Sequence, residues 1–247
     1  CVQTDIKKVL AYSTMSQLAY IFTGLGSALY FLNIDEYYAG YFVLGASLFH
    51  LFNHAMAKGM LFMASGSVIH EVHHAHDHLH HGSDHGDHDF DPQDMRNMGG
   101  LASKLPITAT AMMFGSMSII GIPLIGGFWS KEGIIAKTWS AYFHGETLML
   151  GPAILILATA GMTGFYMSRM WFMTFAGEPK SEVVDHVHES TPWIKEPLII
   201  LTVITAIGGF ALAVLGVVDF LSNKSDNLSL HGHADSLLGQ IVYELEH

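Results

Sequence analysis

Five long apolar segments constrain this 247-residue chain more than any other feature of its sequence. A helix needs about 20 mostly apolar residues to cross the hydrocarbon core of a bilayer. Segments that meet this requirement extend over approximately residues 9–32, 39–70, 105–142, 148–175 and 197–221. Only 13% of the residues are charged, which is about half the share found in a soluble domain. The sequence therefore predicts an all-α, polytopic membrane helix bundle with about five transmembrane helices.

The polar segments between these spans divide the chain into four parts. Residues 1–70 hold the first two helices, 71–104 form a loop rich in His and Asp, 105–221 hold three further helices, and 222–247 form a polar tail. If the spans alternate, seven of the 11 Lys and Arg residues fall on one side, and basic residues mark the cytoplasmic side. We therefore expect a cytoplasmic loop at 71–104 and a multi-pass protein of the cell membrane or an equivalent energy-transducing membrane.

Charge and cysteine content exclude several classes of function. The formal net charge of −11 argues against nucleic acid as a partner, because a phosphate backbone requires a basic patch. Cys1 is the single cysteine, so the chain has no cysteine-built metal or iron–sulfur site. A glycine-rich dinucleotide fingerprint is also absent from the sequence. We therefore expect no cofactor in this chain. Because it begins with Cys1 rather than Met, we expect it to be an internal piece of a longer protein.

The third apolar segment contains signals for a break. Three glycines and Pro123 fall within residues 121–127, shortly before Lys131 and Glu132. Proline removes a backbone donor and glycine tolerates the resulting bend, so we predict a broken helix near 121–131; a simple hinge or a short re-entrant loop is the alternative. A break would place Lys131 within the membrane near a helix start, which disfavours a cation unless Glu132 or another neighbour compensates. Otherwise Lys131 is a loop lysine at the outer face.

The second apolar segment carries three ionisable residues at intervals of four. His50, His54 and Lys58, with Asn53 nearby, fall along one slowly drifting helical face. A charged side chain at the bilayer centre is costly and needs a partner or water. Histidine changes its charge near neutral pH, and burial disfavours the charged form of lysine. The row therefore favours a proton relay, and the alternative is that these side chains form hydrogen bonds that hold neighbouring helices together.

The first apolar segment is more polar at its start than a lipid-facing helix. Residues 12–17 include Tyr12, Ser13 and three further polar side chains. Tyr12 and Ser13, together with Asn53 and Glu132, are candidates for supporting the row on the second segment. Lys7 lies at the cytoplasmic mouth of this cluster, where a snorkelling anchor is the alternative role.

The loop after the second segment is rich in possible metal ligands. Nine of the 17 histidines and seven acidic residues lie between His70 and Asp94, and residues 70–74 satisfy the HExxH pattern of zinc proteases. Because a third of this stretch is histidine, that pattern arises readily by chance, and no third ligand stands out. We expect a solvated loop without a dedicated metal site. Adventitious metal binding at four of its histidines is the alternative: His73, His74, His76 and His78.

Several motifs occur in the order found in one known family. They are DIKKVLAYST at 5–14, HLFNHAMAK at 50–58 running into LFMASGSVIH at 61–70, MGGL at 98–101, and GIPLIGGFWSKEGII at 121–135. In this combination the chain resembles the antiporter-like membrane subunits of respiratory complex I, in particular the branch called subunit L or chain 5. The resemblance covers roughly residues 4–175. The DPQDMRNMGGL stretch at 91–101 favours complex I over the Mrp-type cation antiporters.

The resemblance implies a fold of two inverted five-helix repeats, of which this chain holds the last four helices of the second repeat and the helix that follows. It also implies a proton path through Lys7, His50, His54, Lys58 and Lys131. In that path Lys58 is the central relay lysine and Lys131 exchanges with the outer side. The implied partners are the other membrane subunits of the complex, including an adjacent antiporter-like subunit. The family's first repeat is absent from this chain, and the histidine-rich loop is longer than the family's usual linker.

The sequence thus predicts a proton-translocating, non-redox membrane subunit of an NADH (or related donor):quinone oxidoreductase, a translocase. An Mrp-type cation/proton antiporter or a membrane-bound hydrogenase subunit uses the same chemistry in another complex. A metal transporter that collects ions with its histidine-rich loop is the alternative from a different class.

Overall fold

The computed structural model describes residues 2–80 and 90–214, and within these ranges all regular structure is helical. This agrees with the predicted all-α class. The α-helices of the described ranges are α1 (Ile6–Asn33), α2 (Tyr37–His80), α3 (Pro106–Ile120), α4 (Gly126–Phe143), α5 (Leu150–Phe175), α6 (Pro192–Val203) and α7 (Gly209–Val214).

Two stretches of helix in the described part of the chain are long and apolar enough, by length and composition, to cross a membrane. They are Ile6–Asn33 and Thr147–Phe175. The 44-residue α2 is longer than either, but its buried His, Asn and Lys side chains lower its hydropathy. A hydropathy criterion therefore does not select the helix that carries the buried ionisable row.

Helix α2 continues ten residues beyond the predicted end of the second span at His70, as far as His80. The first part of the predicted loop 71–104 is therefore helical, and residues 81–89 lie outside the described residues. Val72 and Ala75, three positions apart on one helical face, are buried in the main hydrophobic core. Their burial explains why the helix continues, because packing of an apolar face stabilises a helix more than intrinsic propensity does.

The predicted interruption of the third span lies between α3 and α4. Helix α3 ends at Ile120, Gly121 adopts the left-handed conformation with φ of 88°, and α4 begins at Gly126. Gly127 sits so close to the carbonyl oxygen of Ser118 that a Cβ atom there would collide with it. Glycine is therefore required at this position, and it lets the start of α4 pack directly against the end of α3.

The last described helices differ in position from the predicted fifth span, 197–221. Helix α6 begins at Pro192, five residues earlier, with proline in the first turn, where its missing N–H costs nothing. A π-helical turn at Ile204–Gly208 joins α6 to α7, which is described as far as Val214. Residues 215–221 and the predicted tail 222–247 lie outside the described residues.

The main hydrophobic core joins α1, α2, α3 and α5 with the segment around residues 95–105. Two backbone hydrogen bonds hold this part of the chain to the start of α1. The Met95 amide donates to the Thr4 carbonyl at 2.9 Å, and the Ile6 amide donates to the Gln93 carbonyl at 3.1 Å. Arg96 donates hydrogen bonds to the Asp94 carboxylate and thereby lowers the pKa of Asp94. These contacts fix the segment around residues 93–96 against the start of α1.

Candidate functional site

The three ionisable residues of α2 all lie inside the bundle. His50, His54 and Lys58 are 3%, 7% and 6% exposed. The imidazole rings of His50 and His54 are stacked, with centroids 6.5 Å apart and an interplanar angle of 19°. The spacing of four therefore places the row on an interior face of α2 and not on the outer surface of the chain.

Two side chains of α2 attach this helix to the beginning of α4. His50 Nδ1 lies 3.0 Å from the Ser130 hydroxyl oxygen, and the Asn53 amide donates to the Gly126 carbonyl at 3.1 Å. Asn53 is 7% exposed and Ser130 is fully buried. The break in the third span is thus tied to the same helix that carries the ionisable row.

Lys131 lies in the second turn of α4 and is 4% exposed. Its ammonium donates to the carbonyl oxygens of Ile119 at 2.7 Å and Ile120 at 3.3 Å. The last carbonyls of a helix have no intrahelical partner and carry its negative end. The start of α4 disfavours the positive charge of Lys131, and the carbonyl oxygens at the end of α3 therefore stabilise it. Glu132, which was one of the neighbours that could have compensated this charge, is exposed.

Tyr20 of α1 connects the lysine of the break to the row on α2. It is fully buried, its ring centroid lies 4.7 Å from Lys131 Nζ, and its ring is 5.8 Å from that of His50. Its hydroxyl donates to the Ile156 carbonyl of α5 at 2.8 Å. Sequence analysis missed Tyr20, because one tyrosine in an apolar helix gives no signal of the neighbours it will have.

At the other end of the row, Lys58 contacts α1. Its ammonium donates to the Leu10 carbonyl at 2.6 Å, one helical turn before Ser13. Ser13 is 1% exposed. The two predicted supporting residues Ser13 and Asn53 are thus both buried.

Several buried polar side-chain atoms of α1, of α3 and of the row itself have no hydrogen-bond partner among the described residues. An unsatisfied buried polar group costs about 1–3 kcal/mol, and such groups usually bind ordered water where the cavity is polar and roomy enough. We group these side chains with His50, His54, Lys58, Lys131 and Tyr20 under the name polar seam. Those unpartnered atoms are Ser13 Oγ, Gln17 Oε1, His50 Nε2, His54 Nε2 and Ser116 Oγ.

Three other predicted site residues lie outside the polar seam. Lys7 is exposed, because Ile6, Val9 and Leu10 take the buried positions of the first turns of α1. Tyr12 is 60% exposed and lines a groove between α1 and α5. Glu132 is exposed on α4. The structure therefore does not bring Lys7, Tyr12 or Glu132 to the row.

The histidines at the end of α2 lie on the surface of the described chain or near it. His73 and His74 are exposed, and His76 is half-buried with its ring stacked on Phe90. His78 is exposed and contacts His74. Within residues 2–80 and 90–214, no group of three or more His, Cys, Asp or Glu side chains is arranged to hold a metal ion.

Comparison with known proteins places the chain in a family. The family model described as "NADH:quinone oxidoreductase/Mrp antiporter, TM" matches residues 1–156, a range that includes every residue of the polar seam. This chain belongs to that family. The resemblance drawn from the motifs is therefore confirmed.

Curated relatives agree with this assignment. The chain is 39% identical over 217 residues to NAD(P)H-quinone oxidoreductase subunit 5 of the Chaetosphaeridium globosum chloroplast, an alignment that covers 84% of this chain and 28% of that protein. It is also 39% identical over 222 residues to NADH-quinone oxidoreductase subunit L of Rhodobacter capsulatus, covering 84% of this chain and 26% of that protein. The chain thus spans about a quarter of the length of these relatives.

Solved structures share the fold at low sequence identity. The Mrp complex of a Dietzia species matches with a TM-score of 0.55 at 19% identity, over 88% of this chain and 46% of the matched chain. Respiratory complex I of Thermus thermophilus matches with a TM-score of 0.51 at 18% identity, over 84% of this chain and 44% of the matched chain. The helical arrangement described above is therefore that of the antiporter-like fold.

Proposed function

We propose that this chain is part of a proton-translocating membrane subunit of an NADH (or related donor):quinone oxidoreductase, and that the polar seam relays protons. The observation that carries the proposal is the buried row itself. His50, His54 and Lys58 lie inside the bundle, and Tyr20 links them to Lys131 at the break. About five membrane spans, of which α3 and α4 together form one, surround this seam in the proposed arrangement.

The two histidines have the chemistry that a relay requires. A neutral imidazole accepts a proton on one nitrogen and releases one from the other. His50 Nδ1 already contacts Ser130, whereas the Nε2 atoms of His50 and His54 are buried with no partner among the described residues. Water bound at these atoms would bridge the gaps between neighbouring groups, so that protons pass along α2 in short steps.

The two lysines supply the electrostatic coupling. Two positive charges about 10 Å apart in a medium with an effective dielectric constant near 20 repel each other by about 2 kcal/mol. A proton arriving on one group of the row therefore favours release of a proton from another. In this proposal electron transfer takes place in other subunits, and the lipid bilayer and neighbouring membrane subunits, including a second antiporter-like subunit, surround this chain.

An Mrp-type cation/proton antiporter is the second candidate, and the fold match to the Dietzia Mrp complex supports it. The relatives that are 39% identical are named as quinone oxidoreductase subunits, which favours the first candidate. Copurification distinguishes them, because one predicts quinone-reductase subunits as partners and the other predicts antiporter subunits.

Replacement of Lys58 tests the relay. The full-length subunit carrying Lys58→Met or Lys58→Arg is assembled in its complex, and proton pumping per electron transferred is measured in inverted membrane vesicles. Arginine can still donate to the Leu10 carbonyl but does not release a proton at physiological pH. We therefore expect both variants to lose pumping by about tenfold or more.

The exposed Lys180 provides the matched control, since Lys180→Met and Lys180→Arg make the same chemical changes outside the seam. We expect both to pump like the unmodified complex. Normal pumping by an assembled Lys58→Arg complex would show that the hydrogen bond of Lys58, and not its proton, matters, and would overturn the relay.

A further inference from the structure

The exposed end of α2 contains a pair of histidines with the geometry of a chelate. His74 and His78 are four residues apart on one helical face, and their Nε2 atoms lie 3.2 Å from each other. Imidazole nitrogens bind zinc at about 2.0–2.1 Å. Two such bonds that meet at about 100°, close to the tetrahedral angle, separate the two nitrogens by about 3.2 Å.

From this geometry we infer that His74 and His78 form a two-histidine site for a divalent transition-metal ion such as Zn²⁺, Ni²⁺ or Cu²⁺. Imidazole is a ligand that these ions prefer, whereas Mg²⁺ and Ca²⁺ prefer oxygen. Among the residues that the structure describes, the site has two protein ligands, and water takes the coordination positions that these leave open. The ion therefore exchanges readily and binds more weakly than in a four-ligand structural site.

The surroundings favour access by a cation. Both histidines are exposed, so the ion reaches them without leaving water. On the adjacent face, the Asp77 carboxylate lies 3.1 Å from His73 Nδ1, and its side chain is 52% exposed. This negative charge, in a chain with a formal net charge of −11, attracts a positive ion to the end of the helix.

The rest of the helix end holds the pair in position. Val72 and Ala75 are buried in the main core, and the ring of His76 stacks on Phe90 with centroids 4.6 Å apart. The ring of His70 stacks on that of His74 at 6.2 Å. Because these contacts keep the last turns of α2 helical, little conformational entropy is lost when the two imidazoles bind one ion.

A single shared proton gives the same separation between the two nitrogens, since one imidazole can donate a hydrogen bond to the other. A metal ion replaces that proton, because it binds the neutral imidazoles through both lone pairs. The site is also remote from the polar seam. Sixteen residues separate His74 from Lys58, which is about 24 Å along a helix, so metal binding and proton relay are independent.

A register variant tests the site without changing the number of histidines. In His78→Ala/Leu79→His the second imidazole moves from the fourth to the fifth position after His74, and Leu79 is exposed enough to accept the change. Binding of Ni²⁺ and Zn²⁺ to the purified chain in detergent is measured by isothermal titration calorimetry at pH 7.5. We expect the Kd of the site to rise by about tenfold or more, because position 79 is rotated by about 140° from His74 around the helix and the two imidazoles no longer converge on one ion.

The control is His186→Ala/His188→Ala, which removes two exposed histidines that lie outside the pair. We expect its Kd to stay within about twofold of the unmodified chain, and its circular dichroism and that of the register variant to be unchanged. In Cu²⁺ electron paramagnetic resonance, the unmodified chain should show nitrogen hyperfine coupling that the register variant loses in part. Equal affinity of the register variant and the unmodified chain would overturn the site.

Discussion

One helix, α2, carries two sets of histidines at the same spacing in opposite environments. His50 and His54 lie in the interior with their rings stacked 6.5 Å apart, and His50 contacts Tyr20 of α1 and Ser130 of α4. His74 and His78, further along the same helix, are exposed and face each other directly. The Nε2 atoms of the first pair are buried with no partner among the described residues, whereas the Nε2 atoms of the second pair contact each other on an exposed helix face.

The comparison shows that spacing places side chains on one face but does not decide what they do. In the interior, a charge has few partners, so the position of each proton depends on neighbouring groups and the pair suits proton transfer. On the surface, water screens charge and supplies protons freely, so the pair offers lone pairs to an ion. Histidines at the same spacing are therefore suited to proton transfer where they are buried and to metal binding where they are exposed.

The largest effect on proton pumping is expected from a substitution at the break between α3 and α4, which tests whether buried and exposed ionisable groups differ in role. Lys131 and Glu132 are neighbours in sequence, but Lys131 is buried on the carbonyls of α3 and Glu132 is exposed. Lys131→Met removes the ionisable group of the seam, and we expect proton pumping of the assembled complex to fall by about tenfold or more. Glu132→Gln, measured in the same vesicles, should pump normally. A larger loss in Glu132→Gln would move the site of exchange out of the interior.

A smaller effect is expected on stability when one histidine from each pair is removed. His50→Ala breaks the contact with Ser130 and leaves a cavity, so we expect the free energy of unfolding to fall by about 2–3 kcal/mol. His74→Ala removes an exposed side chain and should change it by less than about 0.5 kcal/mol. Steric trapping or SDS titration in micelles measures both values. Similar losses in the two variants would mean that the two ends of α2 are equally packed.

The smallest effect is expected when the surface histidines are replaced together. His73→Gln, His74→Gln and His78→Gln combined should leave proton pumping within about twofold of the unmodified complex, because these side chains lie far from the polar seam. The same vesicle assay, with chelator present and absent, provides the measurement. A loss as large as that of Lys131→Met would make the exposed end part of the transport path and support a metal transporter.

Sequence reasoning predicted the features that depend on one segment at a time. The spacing of His50, His54 and Lys58 follows from helical periodicity, and the break follows from proline and glycine within residues 121–127. Both are local properties of the backbone, so no knowledge of neighbouring helices was needed. The assignment of a relay role to these residues remains a prediction.

Features that depend on contacts between segments were not predicted. Tyr20 and the carbonyls that bind Lys131 come from α1 and α3, and only packing brings them to the seam. The continuation of α2 to His80 depends on burial of Val72 and Ala75, which the high histidine content of that stretch concealed. Lys7 was included through resemblance to the family, and its place at the start of α1 leaves it exposed.

The attachment of Lys131 to the final carbonyls of α3 gives the broken helix a joint whose strength depends on charge. A protonated amine holds the two half-helices together with a charge-assisted hydrogen bond, which is about twice as strong as a neutral one. Departure of the proton therefore loosens the joint at the same moment as it removes a charge. The strength of the contact between α3 and α4 and the charge of Lys131 therefore change together.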